Sequence, residues 1–167
     1  MCYNISTIMW QLTNRADITV ARLADDHYSR QTKGSRQFTP PGQVIILVID
    51  NPDNLFRAAA GWAWHRPHPD KAKRMDGYDG WYNCCFFHNE SQFRSSDLIK
   101  EAIEWAIKIW GIPQYGFDTY VMPTMIKSTN PGYCYQCVGW KRDGWSKDKH
   151  KRRLYLDIKE YQRCLSV

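Results

Sequence analysis

WYNCCFFHNESQFRSSDLIKEAIEWAIKIWGIPQYGFDTYVMP, residues 81–123, decides the fold. WYNCCFFH is apolar and aromatic enough for a buried strand. A polar loop, ESQFRSSD, follows. Leu98, Ile99, Ala102, Ile103, Ala106 and Ile107 then recur at helical spacing and give 96–110 one apolar face. Ser96 is placed to cap this helix, Lys108 lies near its end, and Gly111 with Pro113 stops it. YGFDTYVMP reads as a second strand. Strand, helix and strand in that order form a βαβ crossover, expected to be right-handed with its two strands parallel.

Working outward, ADITVARLADDHY (16–28) carries Ile18, Val20, Leu23 and Ala24 at helical spacing, with Asp17 as its cap. The loop SRQTKGSRQFTPPG is punctuated by Gly and Pro. QVIILVID (43–50) is almost uniformly apolar and β-branched, the pattern of a strand buried on both faces. NPDN is a turn, and LFRAAAGWAWHR (55–66) reads as a strand returning antiparallel. The long polar segment RPHPDKAKRMDGYDG is a loop. Downstream, TMIKSTNPGYCYQCVGWKRDG holds a short helix and a turn, and KRRLYLDIKEY (151–161) closes the chain as a last strand. The expected architecture is one α/β domain over 1–167, a mixed sheet flanked by helices.

Composition narrows the function. The 167 residues carry a formal charge of +6, which suits a polyanionic partner such as nucleic acid or a phosphorylated cofactor. No stretch approaches the apolar length of a membrane span, so no membrane partner is expected. MCYNISTIMWQLTNR lacks the basic and apolar regions of a signal peptide, so the expected location is the cytoplasm, with the 6 cysteines reduced. Cys84 and Cys85 are adjacent and point to opposite faces of a strand, which makes one of them core. Cys134 and Cys137 form a single C-x-x-C, half a zinc site at best.

Several side chains carry chemistry. His27 and Tyr28 bring acid–base groups to the entry of strand 43–50, and both offer donor atoms to a metal ion. Ser29, Arg30 and Arg36 cluster beside them, and Arg36 has the fork to clamp a phosphate. Asn89 and Glu90 leave the end of a strand in the parallel part of the sheet, where α/β folds place ligands, and Glu90 is a candidate base. Arg94, Ser95 and Ser96 stand at a helix start, where N–H groups favour a phosphate. Asp118 shares a strand face with Tyr120; inside an apolar strand it needs either a site role or an arginine partner. Lys127 is within reach of a phosphate, and Asn130 precedes the turn Pro131–Gly132. Ordinary alternatives exist throughout: His27 capping the carbonyls of its helix, Arg36 solvated, the SSD triplet only capping, KDKHKRR (147–153) a solvated hairpin tip. His65, His68 and His150 sit in polar segments and are expected at the surface.

The order of elements, with FFHNESQFRSSDLIKEA (86–102) and STNPGYCYQCVGWKRDG (128–144), resembles the GNAT-like acyltransferase fold. HYSR (27–30) and GSRQFTPPG (34–42), taken with these, make residues 20–156 similar to phage DNA-modification proteins of the Mom type. The resemblance implies acetyl-CoA or a related acyl donor bound at 91–96 and Asn130, with Tyr133 assisting the leaving thiolate. It implies transfer of an acetamido-type group to the exocyclic amine of adenine in double-stranded DNA, in the cytoplasm of a bacterial host, as a defence against restriction. His27 or Glu90 would then take the amine proton and Asp118 would orient the base, while Ser29, Arg30, Arg36, Asn89 and Lys127 contact DNA. An adenine in a duplex must be flipped out, and Trp62, Trp64, Trp81 and Tyr78, with the basic loops KAKR and KDKHKRR, are the aromatic and cationic groups on offer. Two departures stand out: Phe93 and Ser95 occupy positions where a CoA loop carries glycines, and His88 stands where the relatives have arginine. Two other readings remain open, a GNAT N-acyltransferase acting on a small amine or protein and a non-catalytic DNA-binding module.

Overall fold

The computed structural model describes residues 8–166. Residues 1–7, and with them half of the stretch read for a signal peptide, lie outside the described residues. Elements follow in the order β1 (Gln11–Thr13), α1 (Ile18–Ala24), β2 (Gln43–Ile49), β3 (Ala60–Arg66), β4 (Trp81–Asn89), α2 (Ser95–Trp110), β5 (Gly116–Val121), a 3-10 turn (Pro123–Met125), α3 (Tyr133–Gln136), β6 (Lys141–Trp145), β7 (Arg152–Asp157) and α4 (Ile158–Leu165). The strands form one seven-stranded sheet in the order β1-β2-β3-β4-β5-β7-β6. β4 and β5 are parallel, as the crossover required; the other neighbours are antiparallel.

β2 is buried on both faces. Ile45, Leu47 and Ile49 join the core under α2, while Ile46 and Val48 join a second core under α1. The face of α2 that reaches the sheet is Leu98, Ile99, Ala102, Ile103 and Ala106, all fully buried. Each large apolar side chain so removed from water contributes about 1.5–3 kcal/mol. α1 approaches closely because Gly61 on β3 has no side chain: a Cβ there would stand 2.8 Å from Phe86 and 3.1 Å from Val20.

β3 and β4 slip register once. Trp64 pairs with Cys84 but Ala63 pairs with Phe86, so Cys85 is an extra residue in β4. The bulge flips the pleat: Tyr82 and Cys84 face the α2 core before it, Phe87 faces the same core after it, and Phe86 faces α1. Adjacent cysteines are thereby placed on opposite faces, Cys84 buried and Cys85 half-buried.

Five expectations need correction. The strand read at 55–66 begins only at Ala60, with Leu55 and Phe56 exposed in the preceding turn. The helix read over 16–28 is confined to Ile18–Ala24; Asp17 caps it by accepting from Thr19 and Val20 N–H. α2 starts at Ser95, and Ser96 is not its cap; Arg94 occupies the cap position without a side-chain bond, because a guanidinium has no acceptor for the helix N–H groups, while the Ser95 hydroxyl accepts from Asn89. The last strand stops at Asp157, whose carboxylate caps α4 through Lys159 and Glu160 N–H, turning IKEY into helix. Trp62 and Trp64 are fully buried between sheet and α2, with the Trp64 indole bonded to Ala102 O, so neither belongs to a base-binding pocket. Among the described residues no helix is long and apolar enough to cross a membrane.

Candidate functional site

The parallel pair is short. Trp81–Cys84 pairs with Gly116–Thr119, and the Thr119 hydroxyl closes the last rung on Cys84 O at 2.9 Å. Beyond it β4 follows β3 and β5 follows β7, and the sheet splays open. The bulge at Cys85 adds local twist at the parting point. Two cavities meet there, sharing Tyr28, Arg30, Cys84, Cys85 and Tyr120.

The larger cavity, about 730 Å³, lies between the splayed strands and α3. Its walls are mostly apolar, from Phe86, Phe87, Val121, Ile126 and Tyr135. The Tyr135 hydroxyl reaches to 3.7 Å from Cys84 Sγ, and burial pushes both groups well above their ordinary pKa values. The smaller cavity, about 500 Å³, lies under the 29–41 loop and is polar. It presents Ser29, Gln37, Asn83 and Lys151, and no carboxylate lines it.

Tyr28 stands where these cavities join, and His27 beside it lines the larger one. Their ring centroids are 4.1 Å apart, with the planes tilted by 31°. His27 Nδ1 takes the backbone N–H of Ser29 and lies 2.7 Å from its hydroxyl. Burial, then the charges of His88 and Lys151, lower its pKa to about 4. The imidazole is therefore neutral at pH 7, with Nδ1 engaged by Ser29. The Tyr28 hydroxyl donates to Tyr120 O at 3.2 Å, and burial raises its pKa far out of the working range. A metal at this pair finds no support: both groups are committed to protein partners, and among the described residues no group of three or more His, Cys, Asp or Glu is placed to hold an ion.

The other named residues divide by position. Ser29 and Arg30 line the polar cavity. Arg30 is spent on the loop, bonding Asp25, Gln37 O and Ser35 O. Arg36 is exposed beside Arg15 and Asp17, away from both cavities. Asn89 organises the turn into α2, donating to Phe93 O and the Ser95 hydroxyl and accepting from Ser91 N–H. Glu90 pairs with Arg57 at 2.7 Å and His88 at 2.9 Å, and Arg57 first, then His88, holds its carboxylate below the usual range. Arg94 is exposed at the start of α2, with Ser95 and Ser96 half-buried behind it. Lys127 is exposed. Asn130 borders the apolar cavity and bonds Gln136 and Arg142. Tyr133 lines the same cavity, largely exposed, with its hydroxyl against Cys137.

Asp118 is fully buried and faces away from the α2 core. Arg74 Nη1 donates to it at 2.8 Å, Arg153 Nε at 3.1 Å and Asn83 at 3.0 Å. It holds the long loop and β7 to the sheet. Sequence reasoning missed Tyr135, Cys84 and Asn83 as cavity groups. Tyr135 had one signal, its place two residues after Tyr133 in the short helix. Cys84 and Asn83 had none, since only the splay and the bulge bring them to the parting point.

No family model and no curated protein matches the chain. Solved structures do. A Klebsiella pneumoniae protein described as an acyl-CoA N-acyltransferase superposes with TM-score 0.59 at 14% identity, over 89% of this chain and 96% of its own. An acyl-CoA N-acyltransferase from Pseudomonas aeruginosa gives 0.55 at 12% identity, over 89% and 98%. The GNAT domain of S. lividans PAT gives 0.55 at 13% identity, over 89% of each chain. With a splayed parallel pair at the centre of its mixed sheet, the chain has the GNAT acyltransferase fold.

Proposed function

We propose that the protein transfers an acyl-derived group from a coenzyme-A-type thioester to the exocyclic amine of a nucleobase in DNA. The observation that carries the choice of acceptor is the chemistry of the polar cavity. An alkyl amine arrives at pH 7 as an ammonium ion, with a pKa near ~10.4. It needs a carboxylate to hold it and a free base to take its proton. The polar cavity has Lys151 and no carboxylate, and His27 beside it is neutral but engaged. A nucleobase amine arrives uncharged and needs no carboxylate to hold it; the one proton it loses as the N–acyl bond forms goes to the thiolate released when the C–S bond breaks. The resemblance of HYSR (27–30) and GSRQFTPPG (34–42) to segments of Mom-type proteins favours adenine as the base.

The residues fit the donor's arm. Past Cys84 the β5-facing edge of β4 has lost its partner strand, and such an edge offers main-chain groups to the amides of an extended chain. Phe86, Val121 and Ile126 supply apolar walls. The diphosphate end has Arg94 and the first N–H groups of α2 to meet it. The turn there lacks glycine and is filled by the bonds of Asn89, so less backbone is open to phosphate than a glycine loop allows. A bound thioester supplies an activated carbonyl and a thiol leaving group. The protein's part is to keep water from the apolar cleft, to orient the acceptor beside His27 and Asn83, and to present the hydroxyls of Tyr133 and Tyr135 at the cleft.

A second reading, N-acylation of a small alkyl amine or a protein, has Asp25 and Asp26 in its favour, since both carboxylates border the apolar cavity. Release of free thiol from acetyl-CoA, measured with duplex DNA and separately with alkyl amines, decides between them. DNA-dependent release supports the nucleobase reading; release with alkyl amines alone overturns it.

A further inference from the structure

The long loop 67–80 and the β6–β7 hairpin are separate in sequence, and the fold locks them together. Arg74, from the loop, and Arg153, from β7, both pair with the buried Asp118, their own side chains 6% and 4% exposed. Arg153 lies 3.5 Å from the Tyr78 ring and 4.7 Å from the Trp81 ring, so the loop's own tyrosine covers the hairpin's arginine. Asp76, also on the loop, bonds Arg74 and accepts from Tyr120. Burying ions is costly unless geometry and partners are good. Here the ions fix the relative position of two exposed segments.

The hairpin tip presents net positive charge, and the loop beside it presents lysines flanked by exposed Asp70 and Asp79, the latter accepting Arg74 N–H. Lys71 and Lys73 are exposed on the loop, and Lys147 and Lys149 on the hairpin tip. Lys147 Nζ bonds Met75 O at 3.3 Å, joining the two segments at their outer edge. The tip is a built turn: Ser146 N–H bonds Lys151 O, and Lys151 N–H bonds the Ser146 hydroxyl. Its one carboxylate, Asp148, is used inside the turn by the Ser146 hydroxyl and His150 N–H. Lys149 is the sole non-glycine residue with positive φ among the described residues, at 57°. At the base of the tip Arg152 stacks 4.3 Å over the half-exposed Trp145. Lys151, the residue before it, turns inward and lines the polar cavity.

We infer that these two segments form a single phosphate-gripping rim for double-stranded DNA, leading through Lys151 into the acceptor cavity. The inference rests on the nucleobase reading and adds to it the surface that holds the duplex. Lysines on a fixed spacing neutralise backbone phosphates and release counterions, so affinity falls with salt in proportion to the contacts made. The rim carries no base-reading motif; its contribution is position.

The test uses the full chain and a short fluorescein-labelled DNA duplex, with anisotropy read across a salt series. Lys147→Gln/Lys149→Gln removes two rim charges. Lys100→Gln/Lys108→Gln removes two from α2, which packs on the face of the sheet opposite Asp118, and serves as the equal-charge control. The rim pair is expected to flatten the log–log salt slope by about 2 and to weaken binding on the order of tenfold, with the control near the parent. Equal losses in both pairs would show that only net charge matters and would overturn the rim. Binding by the parent that the rim pair leaves unchanged would overturn the rim while leaving the nucleobase reading intact. No binding by the parent at low salt would overturn both.

Discussion

His27 illustrates how one residue couples environment to stability. Its pKa is about 4 in the fold, lowered by burial first and by His88 and Lys151 next, against about 6.5 when unfolded. Between these values the unfolded chain binds the extra proton. Stability is therefore fully present above about pH 6.5 and is lost as pH falls toward 4. The loss amounts to about 3 kcal/mol. His27→Gln is expected to flatten the urea-midpoint profile between those pH values; an unchanged slope would mean the imidazole is not held neutral. Asp118 makes the complementary case. Asp118→Ala removes the shared carboxylate between Arg74 and Arg153, which keep Asp76 and Asp143 as partners, and is expected to cost about 1–3 kcal/mol by equilibrium unfolding. The need of Asp118 for a partner was legible in a strand otherwise apolar. The partners were not, because Arg74 and Arg153 lie 44 and 35 residues away and no local pattern links them. His27 was legible as a cluster member, but its engagement by Ser29 depends on the turn after α1, which residue type alone does not specify.

Among the elements, those with strong periodicity were readable. α2 shows its buried stripe at helical spacing, and β2 shows the β-branched run of a strand covered on both faces. The elements that sequence reading missed are polar or short. β6 is an edge strand whose residues are mostly exposed, so it has no apolar alternation to betray it. β1 has three residues. α4 buries only Ile158 fully and follows directly on β7, so its start looks like more strand; the signal that ends β7 is the Asp157 cap. Asp157→Ala is expected to lower stability by about 1 kcal/mol and to reduce helical circular dichroism. Gly61→Ala tests the α1–sheet contact. Its new Cβ collides with Phe86 and Val20, and the expected loss is about 1–3 kcal/mol, read as a lower urea midpoint. An unchanged midpoint would mean that α1 shifts freely on the sheet.

At the scale of the molecule, function follows from where the sheet fails to stay paired. Four rungs join β4 to β5, and the bulge at Cys85 helps part them. The apolar cleft and the polar cavity then meet around Tyr28, with the long loop and the basic hairpin clamped nearby through Asp118. The crossover was legible, and the order of motifs pointed to the same fold. The splay itself was not, because it depends on register between strands more than 30 residues apart. Narrowing the cleft is a direct probe: Met125→Trp, at an exposed position lining the apolar cavity, is expected to cut transfer by about tenfold or more with little change in unfolding temperature.

The central claim is transfer to a nucleobase amine. The most direct measurement is mass spectrometry of nucleosides from plasmid DNA after expression of the parent chain in a bacterium, with Met125→Trp expressed in parallel. A new nucleoside mass that is strongly reduced in Met125→Trp is the predicted result. Unchanged nucleosides from cells that hold abundant folded protein would contradict the account.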